Sequence, residues 1–218
     1  IMMPCYGDIN ERKHSLHEVI RLSDTDVPMG ANTESVSVKV ASVPDVQLQV
    51  YFMDHEGYFG RSGRATDGDG SAFDDNADRA LFFNRSVLET LRELRWGPDL
   101  IHGFGWISGL LPTLLSTTYA DDDLLGATKS VFTPGGQAPA TTLEASFADT
   151  MNLPIDGNAG ATLSEVGRTH ADATILPPNG TSANGAQAED VSRFQADPQP
   201  RTEQTVALYD QMLGEVPA

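Results

Sequence analysis

The segment His102-Gly-Phe-Gly-Trp106 has the residue types and the position best suited to chemistry. It follows a short apolar run at residues 100–102, which is typical of a buried parallel strand, and it precedes an apolar helical stretch at residues 107–117. Ligands of parallel α/β sheets bind at the edge where strands end and helices begin. His102 is therefore a candidate binding residue; the alternative is a buried imidazole that hydrogen-bonds the backbone.

The same segment places Gly103, Gly105 and Gly109 close to the spacing of a dinucleotide-binding fingerprint. The strict motif requires glycine at position 108, where this chain has Ser108. The acidic residue expected about 20 positions later falls among residues 121–123, which lie in a polar loop and not at a strand end. We therefore predict no cofactor, and we interpret the glycines as turn and packing residues.

Two further clusters contain metal-ligand residue types in the wrong spacing. The loop Asp67-Gly-Asp-Gly70, with Asp74 and Asp75, lacks the alternate oxygen ligands, sixth-position glycine and twelfth-position glutamate of an EF-hand. His14 and the pair His17-Glu18 do not match the His-Glu-x-x-His order of a zinc protease helix. We predict no metal site.

Strands and helices alternate along the chain, which predicts an α/β fold with a parallel sheet and flanking helices. Strand patterns cover residues 36–40, 46–52, 100–102, 130–133 and 173–176. The best helix, residues 76–95, carries one apolar stripe of Ala80, Phe83, Val87, Leu91 and Leu94. The helix at residues 107–117 accommodates Pro112 only with a kink or a late start.

The predicted domain covers residues 1–176. Residues 177–218 are unassigned, with a linker or surface turn at residues 177–185 and short helices at residues 189–194 and 202–213. The chain opens with Ile1-Met-Met-Pro4, which is typical of the tail of a strand. We therefore expect the domain to be truncated at its N-terminus, with its first strand and first helix missing.

Charge limits the partners of this protein. The 31 acidic and 14 basic residues give a net charge of -17, and the acids are spread along the chain. We interpret them as a halophilic surface, because a Debye length of about 3 Å in molar salt screens self-repulsion. This charge argues against nucleic acid and anionic membranes as partners.

Cys5 has no disulfide partner, and no apolar run approaches the roughly 20 residues of a membrane span, so we predict a cytoplasmic protein.

The order of several motifs resembles the N-terminal domain of bacterial glycogen and starch synthases, which are retaining glucosyltransferases of the two-Rossmann type. The loop from Tyr6 to Ile20 is similar to a short branch of that family. The resemblance extends from Pro4 to about Thr133 and implies the N-terminal half of a GT-B-type architecture. It is carried by Tyr51-Phe-Met-Asp54, Tyr58-Phe59, Phe73-Asp-Asp-Asn76, Arg79-Ala-Leu-Phe-Phe83, Trp96-Gly-Pro-Asp-Leu-Ile-His102 and Trp106.

The resemblance implies an acceptor cleft but identifies no catalytic residue with certainty. The family's segment usually runs His-x-His-Asp-Trp-His, in which His102 and Trp106 match while Phe104 and Gly105 replace polar residues. The family's acidic loop faces the cleft between domains, which makes cleft candidates of Asp75, Asn76, Arg79 and Tyr58. Two structural alternatives are open: Asp75 as a helix cap and Arg79 in an internal ion pair.

By resemblance, the reaction transfers glucose from ADP- or UDP-glucose to the non-reducing end of an α-1,4-glucan, with α-glucan and nucleotide sugar as partners. The family's donor-binding lysine loop would precede Ile1, and we expect the residues given after Thr133 to be too few for the family's second Rossmann domain. Because leaving-phosphate charge needs stabilisation in a closed cleft, we expect little activity from this chain alone. The alternative is a non-catalytic glucan-binding or regulatory relative, in which exposed aromatics such as Tyr58, Phe59 and Phe73 stack on sugars.

Overall fold

A computed structural model of the chain describes residues 1–44, 46–135, 141–154, 159–177, 191–193 and 197–214. The strands are β1 (Met2–Pro4), β2 (His17–Glu18), β3 (Thr25–Met29), β4 (Asn32–Val43), β5 (Leu48–Asp54), β6 (Leu100–Phe104), β7 (Lys129–Thr133), β8 (Ala173–Leu176) and β9 (Val191–Arg193). The helices are α1 (Glu56–Phe59), α2 (Asn76–Glu93), α3 (Leu111–Ser116), α4 (Ala145–Met151), α5 (Leu163–His170) and α6 (Pro198–Leu213), with 3-10 turns at Ile20–Leu22 and Trp106–Ser108.

The described strands form two sheets. The second sheet has the order β6-β7-β8-β9 with every neighbouring pair parallel, which confirms the predicted α/β fold for this part of the chain. In the first sheet β1 and β5 are parallel, but β4 pairs antiparallel with both β3 and β5. The parallel arrangement therefore does not extend to β4 and β5, because the few residues between them permit only an antiparallel pair.

Helix α2 lies at the centre of the core. It contacts β1, β3 and β5 on one side and the 106–108 turn and α3 on the other. Its buried side chains extend well beyond the predicted stripe and include Leu81, Phe82 and Leu88, because several elements cover the helix. The helix ends at Glu93, and Arg95 turns the chain with a φ of 52°. Helix α3 begins only at Leu111, with Pro112 in its first turn, which confirms the predicted late start.

The C-terminal half adds three helices, of which α5 and α6 contact the second sheet. Helix α5 begins with a capping box between Thr162 and Glu165. Helix α6 confirms the predicted helix at residues 202–213 and packs Leu208, Tyr209 and Met212 against β7 and β8. The predicted helix at residues 189–194 is wrong where it is described, since residues 191–193 form β9.

Several sequence predictions lie outside the described residues. These include most of the linker predicted at residues 177–185, of which only Pro177 is described, and the ends of the helix predicted at residues 189–194. The domain boundary between residues 176 and 177 stays a prediction. In the part of the chain that is described, no helix is long and apolar enough to cross a membrane.

Candidate functional site

The ends of β6 and β7 form one edge of the parallel sheet. The strand β6 ends at Phe104, and Gly105 follows with a φ of 74°, a conformation that favours glycine. The backbone N–H of Gly105 donates to the carbonyl of Thr133 at 2.8 Å, which joins the two strand ends. The 3-10 turn at residues 106–108 starts immediately afterwards. This is the strand-to-helix edge that the sequence predicted.

His102 is fixed at this edge by two side chains. Its Nε2 lies 2.8 Å from Thr133 Oγ1, and its Nδ1 hydrogen-bonds with the hydroxyl of Tyr209 from α6. Burial lowers the pKa of the His102 imidazole to about 4, so the ring is neutral at pH 7. The predicted alternative of a histidine bonded to the backbone is wrong, because both partners are side-chain hydroxyls. A neutral ring with both nitrogens engaged orients its neighbours and carries no charge.

Phe104 is the residue at this edge that sequence reasoning did not select. Its ring stacks on His102, with centroids 3.9 Å apart and planes inclined by 23°. The side chain is nevertheless 57% exposed. The sequence signal for this residue is an aromatic side chain between two glycines at a strand end. Trp106, a predicted cleft residue, is buried in the core under the turn.

Arg79 organises the second group of candidates. The side chain is fully buried and donates to the carbonyls of Tyr58 and Arg64, each at 2.7 Å, and to Asn76 Oδ1 at 2.9 Å. Burial lowers the pKa of Arg79. The expected internal ion pair is wrong, because its hydrogen-bond partners among the described residues are neutral oxygens. Asn76 in turn donates to the carbonyl of Ala65 at 2.9 Å, so both residues tie the preceding loop to α2.

Asp75 and Tyr58 also contact protein groups in this region. Asp75 stands at the N-cap position of α2 but makes no capping hydrogen bond; its carboxylate accepts from the guanidinium of Arg61. The capping alternative is therefore wrong. The ring of Tyr58 stacks on Phe82 with centroids 4.6 Å apart, and burial raises the pKa of Tyr58 to about 12.

The aromatics that the sequence offered for sugar stacking are mostly covered. Phe59 is fully buried, Tyr58 is half-buried against Phe82, and Phe73 lies under the guanidinium of Arg61 at 4.2 Å. The expectation that these three rings are exposed is wrong. Among the described residues, no hydrogen bond, ion pair or ring contact joins them or Arg79 to His102, so the two candidate groups are separate.

The structure also shows how residues of the glycine motif and of the two acidic loops are placed. A Cβ on Gly109 would lie 2.3 Å from the carbonyl oxygen of Leu163, which supports the packing interpretation of this glycine. Asp122 lies 3.0 Å from Arg92 Nε in the loop before β7, at the sheet edge opposite Gly105. Asp67 Oδ1 accepts from two backbone N–H groups of its own loop, those of residues 69 and 71.

One cluster in the described part of the chain has the geometry of a metal site. Ligand atoms of Cys5, Glu11 and Asp54 lie within 4.8 Å of one another. The ammonium of Lys39 is 2.7 Å from Glu11 Oε1 and 2.7 Å from Asp54 Oδ2, so both carboxylates are already paired with a cation of the protein. Burial raises the pKa of the Cys5 thiol to about 11, which keeps it protonated.

A cavity of about 340 Å³ lies beside the second half of α2. Arg85 bridges its walls by donating to the carbonyls of Pro28 at 2.6 Å and Met151 at 2.9 Å. Arg92 pairs with both Glu89 and Asp122. The charges of the cavity are thus largely balanced within the protein, and its polar groups already serve packing.

The second sheet, its crossover helices and the ligand edge after β6 define an α/β protein of the Rossmann type. The family model of the starch synthase catalytic domain matches residues 1–134, which include both candidate groups. The chain therefore belongs to the starch synthase catalytic domain family, and the resemblance inferred from the sequence motifs is confirmed. The match ends directly after β7, close to the predicted limit at Thr133.

Bacterial relatives give the same result. Glycogen synthase from Chlorobium limicola is 47% identical over 134 residues, and glycogen synthase from Chlorobium luteolum is 46% identical over 134 residues. Each alignment covers 61% of this chain and 27% of the relative. The chain thus spans about a quarter of the length of the curated relatives that it matches.

A solved structure extends the comparison of the fold. The catalytic domain of Starch Synthase IV from Arabidopsis thaliana, bound to ADP and acarbose, superposes with a TM-score of 0.67 at 19% identity. The superposition covers 97% of this chain and 51% of that domain. At this identity the likeness concerns the fold alone, and it confirms the predicted half of a GT-B-type architecture.

Proposed function

We propose that this chain forms the N-terminal, glucan-binding half of a glycogen or starch synthase. The full reaction would transfer glucose from ADP- or UDP-glucose to the non-reducing end of an α-1,4-glucan. The observation that carries the proposal is the 47% identity to a glycogen synthase across the stretch that contains both candidate groups. The ADP and acarbose bound to the Arabidopsis neighbour support a nucleotide-sugar donor and an α-glucan acceptor for the same fold.

Within this proposal, the predicted cleft residues act mainly by positioning. His102 holds the end of β6, while Arg79 and Asn76 hold the loop that precedes α2 and carry Tyr58 and Asp75 with it. Trp106 is buried in the core directly after the end of β6. None of these groups is assigned as nucleophile or general acid.

Charge supports a division of labour between this chain and the rest of the synthase. Transfer from a nucleotide sugar requires positive groups at the leaving phosphate. The described side chains that surround His102, those of Phe104, Thr133 and Tyr209, are all uncharged. We therefore propose that donor phosphates bind residues beyond this stretch, and that the chain alone has little transferase activity.

The second candidate function is glucan binding without catalysis. It is favoured by Phe104 and Gly105, which stand where the resembled family carries polar residues. The exposed ring of Phe104 can still contact a sugar, but this edge lacks the hydrogen-bonding side chains that the resembled family carries. The protein would then bind a glycogen-like polysaccharide in a storage or regulatory role.

Transfer of labelled glucose to glycogen tests the proposal. The 218-residue chain and the longest polypeptide that contains it would be assayed in molar potassium chloride with ADP-glucose, and with UDP-glucose in parallel. We expect turnover from the longer polypeptide and little from the chain alone. Folded longer protein that binds glycogen without turnover would favour the glucan-binding relative. Absence of both turnover and binding would contradict both functions.

A further inference from the structure

We infer that Phe104 is a stacking platform for a glucose ring of an α-glucan at the carboxyl edge of the second sheet. This inference deepens the proposed function and rests on it. The ring is 57% exposed at the end of a parallel strand, the location where α/β sheets bind ligands. Burial against the core, the ordinary use of a phenylalanine in a β-strand, does not account for its position.

The ring is held in place before any ligand arrives. His102 lies under one face of Phe104, with centroids 3.9 Å apart. His102 is itself fixed by Thr133 on one nitrogen and by Tyr209 on the other, and the Tyr209 ring meets it edge-on at 5.8 Å. A rigid aromatic surface loses little conformational entropy on binding, so more of its contact energy appears as affinity.

Among the residues that the structure describes, none fills the space beside Gly105, next to the ring. A Cβ added at Gly105 would meet no heavy atom within 4 Å, and Gly135 at the end of β7 is exposed. A Cβ on Gly135 would come 3.4 Å from the Cα of Gly105, so the two glycines lie side by side. They form a strip without side chains beside Phe104, along which a flat pyranose ring can approach the backbone.

The chemistry of the edge favours a neutral sugar. The negative face of an aromatic ring attracts the weakly positive C–H groups on one face of glucose. In the described part of the chain, Phe104 contacts the imidazole of His102, which in turn bonds the hydroxyls of Thr133 and Tyr209, and none of these groups is cationic. A phosphate would find no counter-charge among them, and the net charge of -17 opposes anions generally. A nucleotide that stacks its base on Phe104 is the competing occupant.

Trp96 supplies a matched control. Its side chain is 56% exposed, nearly the same as that of Phe104, but it lies in the loop before β6, at the opposite end of the strand. If any exposed aromatic ring binds glucan, both residues should matter equally. If the β6 edge is the site, only Phe104 should.

The test is binding of maltoheptaose to the 218-residue chain by titration calorimetry, with glycogen affinity electrophoresis as a second readout. The variants are Phe104→Ala, Phe104→Trp and Trp96→Ala, each checked for a native circular dichroism spectrum. We expect Phe104→Ala to weaken binding about tenfold, because a single aromatic stacking contact is worth roughly that factor. Phe104→Trp should retain or improve affinity, and Trp96→Ala should bind as the wild type does.

The other outcomes separate the inference from the proposed function. Equal affinity of Phe104→Ala and wild type for maltoheptaose would overturn the platform and leave glucan binding intact. A wild-type chain that binds neither maltoheptaose nor glycogen would overturn both. ADP, titrated in parallel, distinguishes the competing occupant: loss of ADP affinity in Phe104→Ala with unchanged maltoheptaose affinity would assign the ring to a nucleotide base instead.

Discussion

Arg79 and His102 are both predicted cleft residues, but their surroundings differ: Arg79 is buried and His102 is half-buried. Arg79 is charged and fully buried, and it donates to the carbonyl oxygens of Tyr58 and Arg64, which precede α2 in the chain. His102 is neutral at pH 7 and bonded to Thr133 and Tyr209, of which the latter is 107 residues away. The hydrogen bonds of Arg79 are thus satisfied by nearby backbone, whereas the region around His102 presents the exposed ring of Phe104.

Residue type alone therefore does not separate scaffold from binding surface. A guanidinium is suited to binding phosphate, but here its donors hold a loop against α2 through Tyr58, Arg64 and Asn76. A phenylalanine is suited to the core, but here it covers a histidine and faces solvent. Variants that weaken one region and spare the other test whether this division holds.

The largest effect is expected from Arg79→Ala. It leaves two carbonyls and the Asn76 amide oxygen without their charged donor inside the protein. We expect the free energy of unfolding to fall by about 3 kcal/mol or more, since hydrogen bonds to charged groups are worth about 1.5–3 kcal/mol each. Urea unfolding measures the change. Arg79→Lys keeps the charge without the forked geometry, so its free energy of unfolding should lie between those of the wild type and Arg79→Ala. A loss below about 1 kcal/mol for Arg79→Ala would contradict the scaffold role.

A smaller effect is expected where α6 packs on the second sheet. Leu208 is partly buried against the cluster of Val131, Ala173 and Ile175, and α6 has no fully buried residue. Leu208→Ala should therefore cost about 1–2 kcal/mol, at or below the lower limit of core truncations. Leu213→Ala is the control, because its side chain is 40% exposed on the same helix. Equal urea midpoints for the two variants would show that α6 does not pack on the sheet in solution.

The pH dependence of stability should report on His102. Burial lowers the pKa of His102 in the folded state to about 4, below the ordinary value of about 6.5. Above about pH 6.5 the ring is neutral in both states; between about pH 6.5 and 4 only the unfolded state takes up the proton. Stability from this group is therefore lost as pH falls through that window. His102→Gln should flatten that part of the curve measured by urea unfolding, and an unchanged curve would place His102 in solvent.

The smallest effect is expected at the surface pair of Arg61 and Asp75. Their side chains are 37% and 35% exposed, so Arg61→Ala should cost less than about 1 kcal/mol. The cost should shrink further in about 1 M potassium chloride, where charges are screened beyond about 3 Å.

The wild type, by contrast, should melt at a higher temperature in that salt if its charge of -17 is an adaptation to high salt. A lower melting temperature in salt would refute the halophilic interpretation.

Local periodicity located most of the elements. The helix at α2, the strands at β4 to β8 and the late start of α3 follow from spacings of two, three and four residues, from proline and from glycine. It failed on the direction of β4 relative to β5 and on residues 191–193, because strand pairing depends on neighbours elsewhere in the chain. The burial of Phe59 and Trp106 was missed for the same reason: an aromatic side chain does not itself show which face is covered.

The family, the α/β class and the strongly acidic character follow from the amino-acid sequence, since each is a property of residue order or composition. Only the tertiary structure decided that Tyr209 meets His102, that Arg79 bonds neutral oxygens, and that Phe104 is exposed. The physical reason is range. Periodic patterns extend over one or two turns of helix or a few residues of strand. The contacts of Arg79 and His102 join residues that meet only when α2 and α6 pack against their sheets.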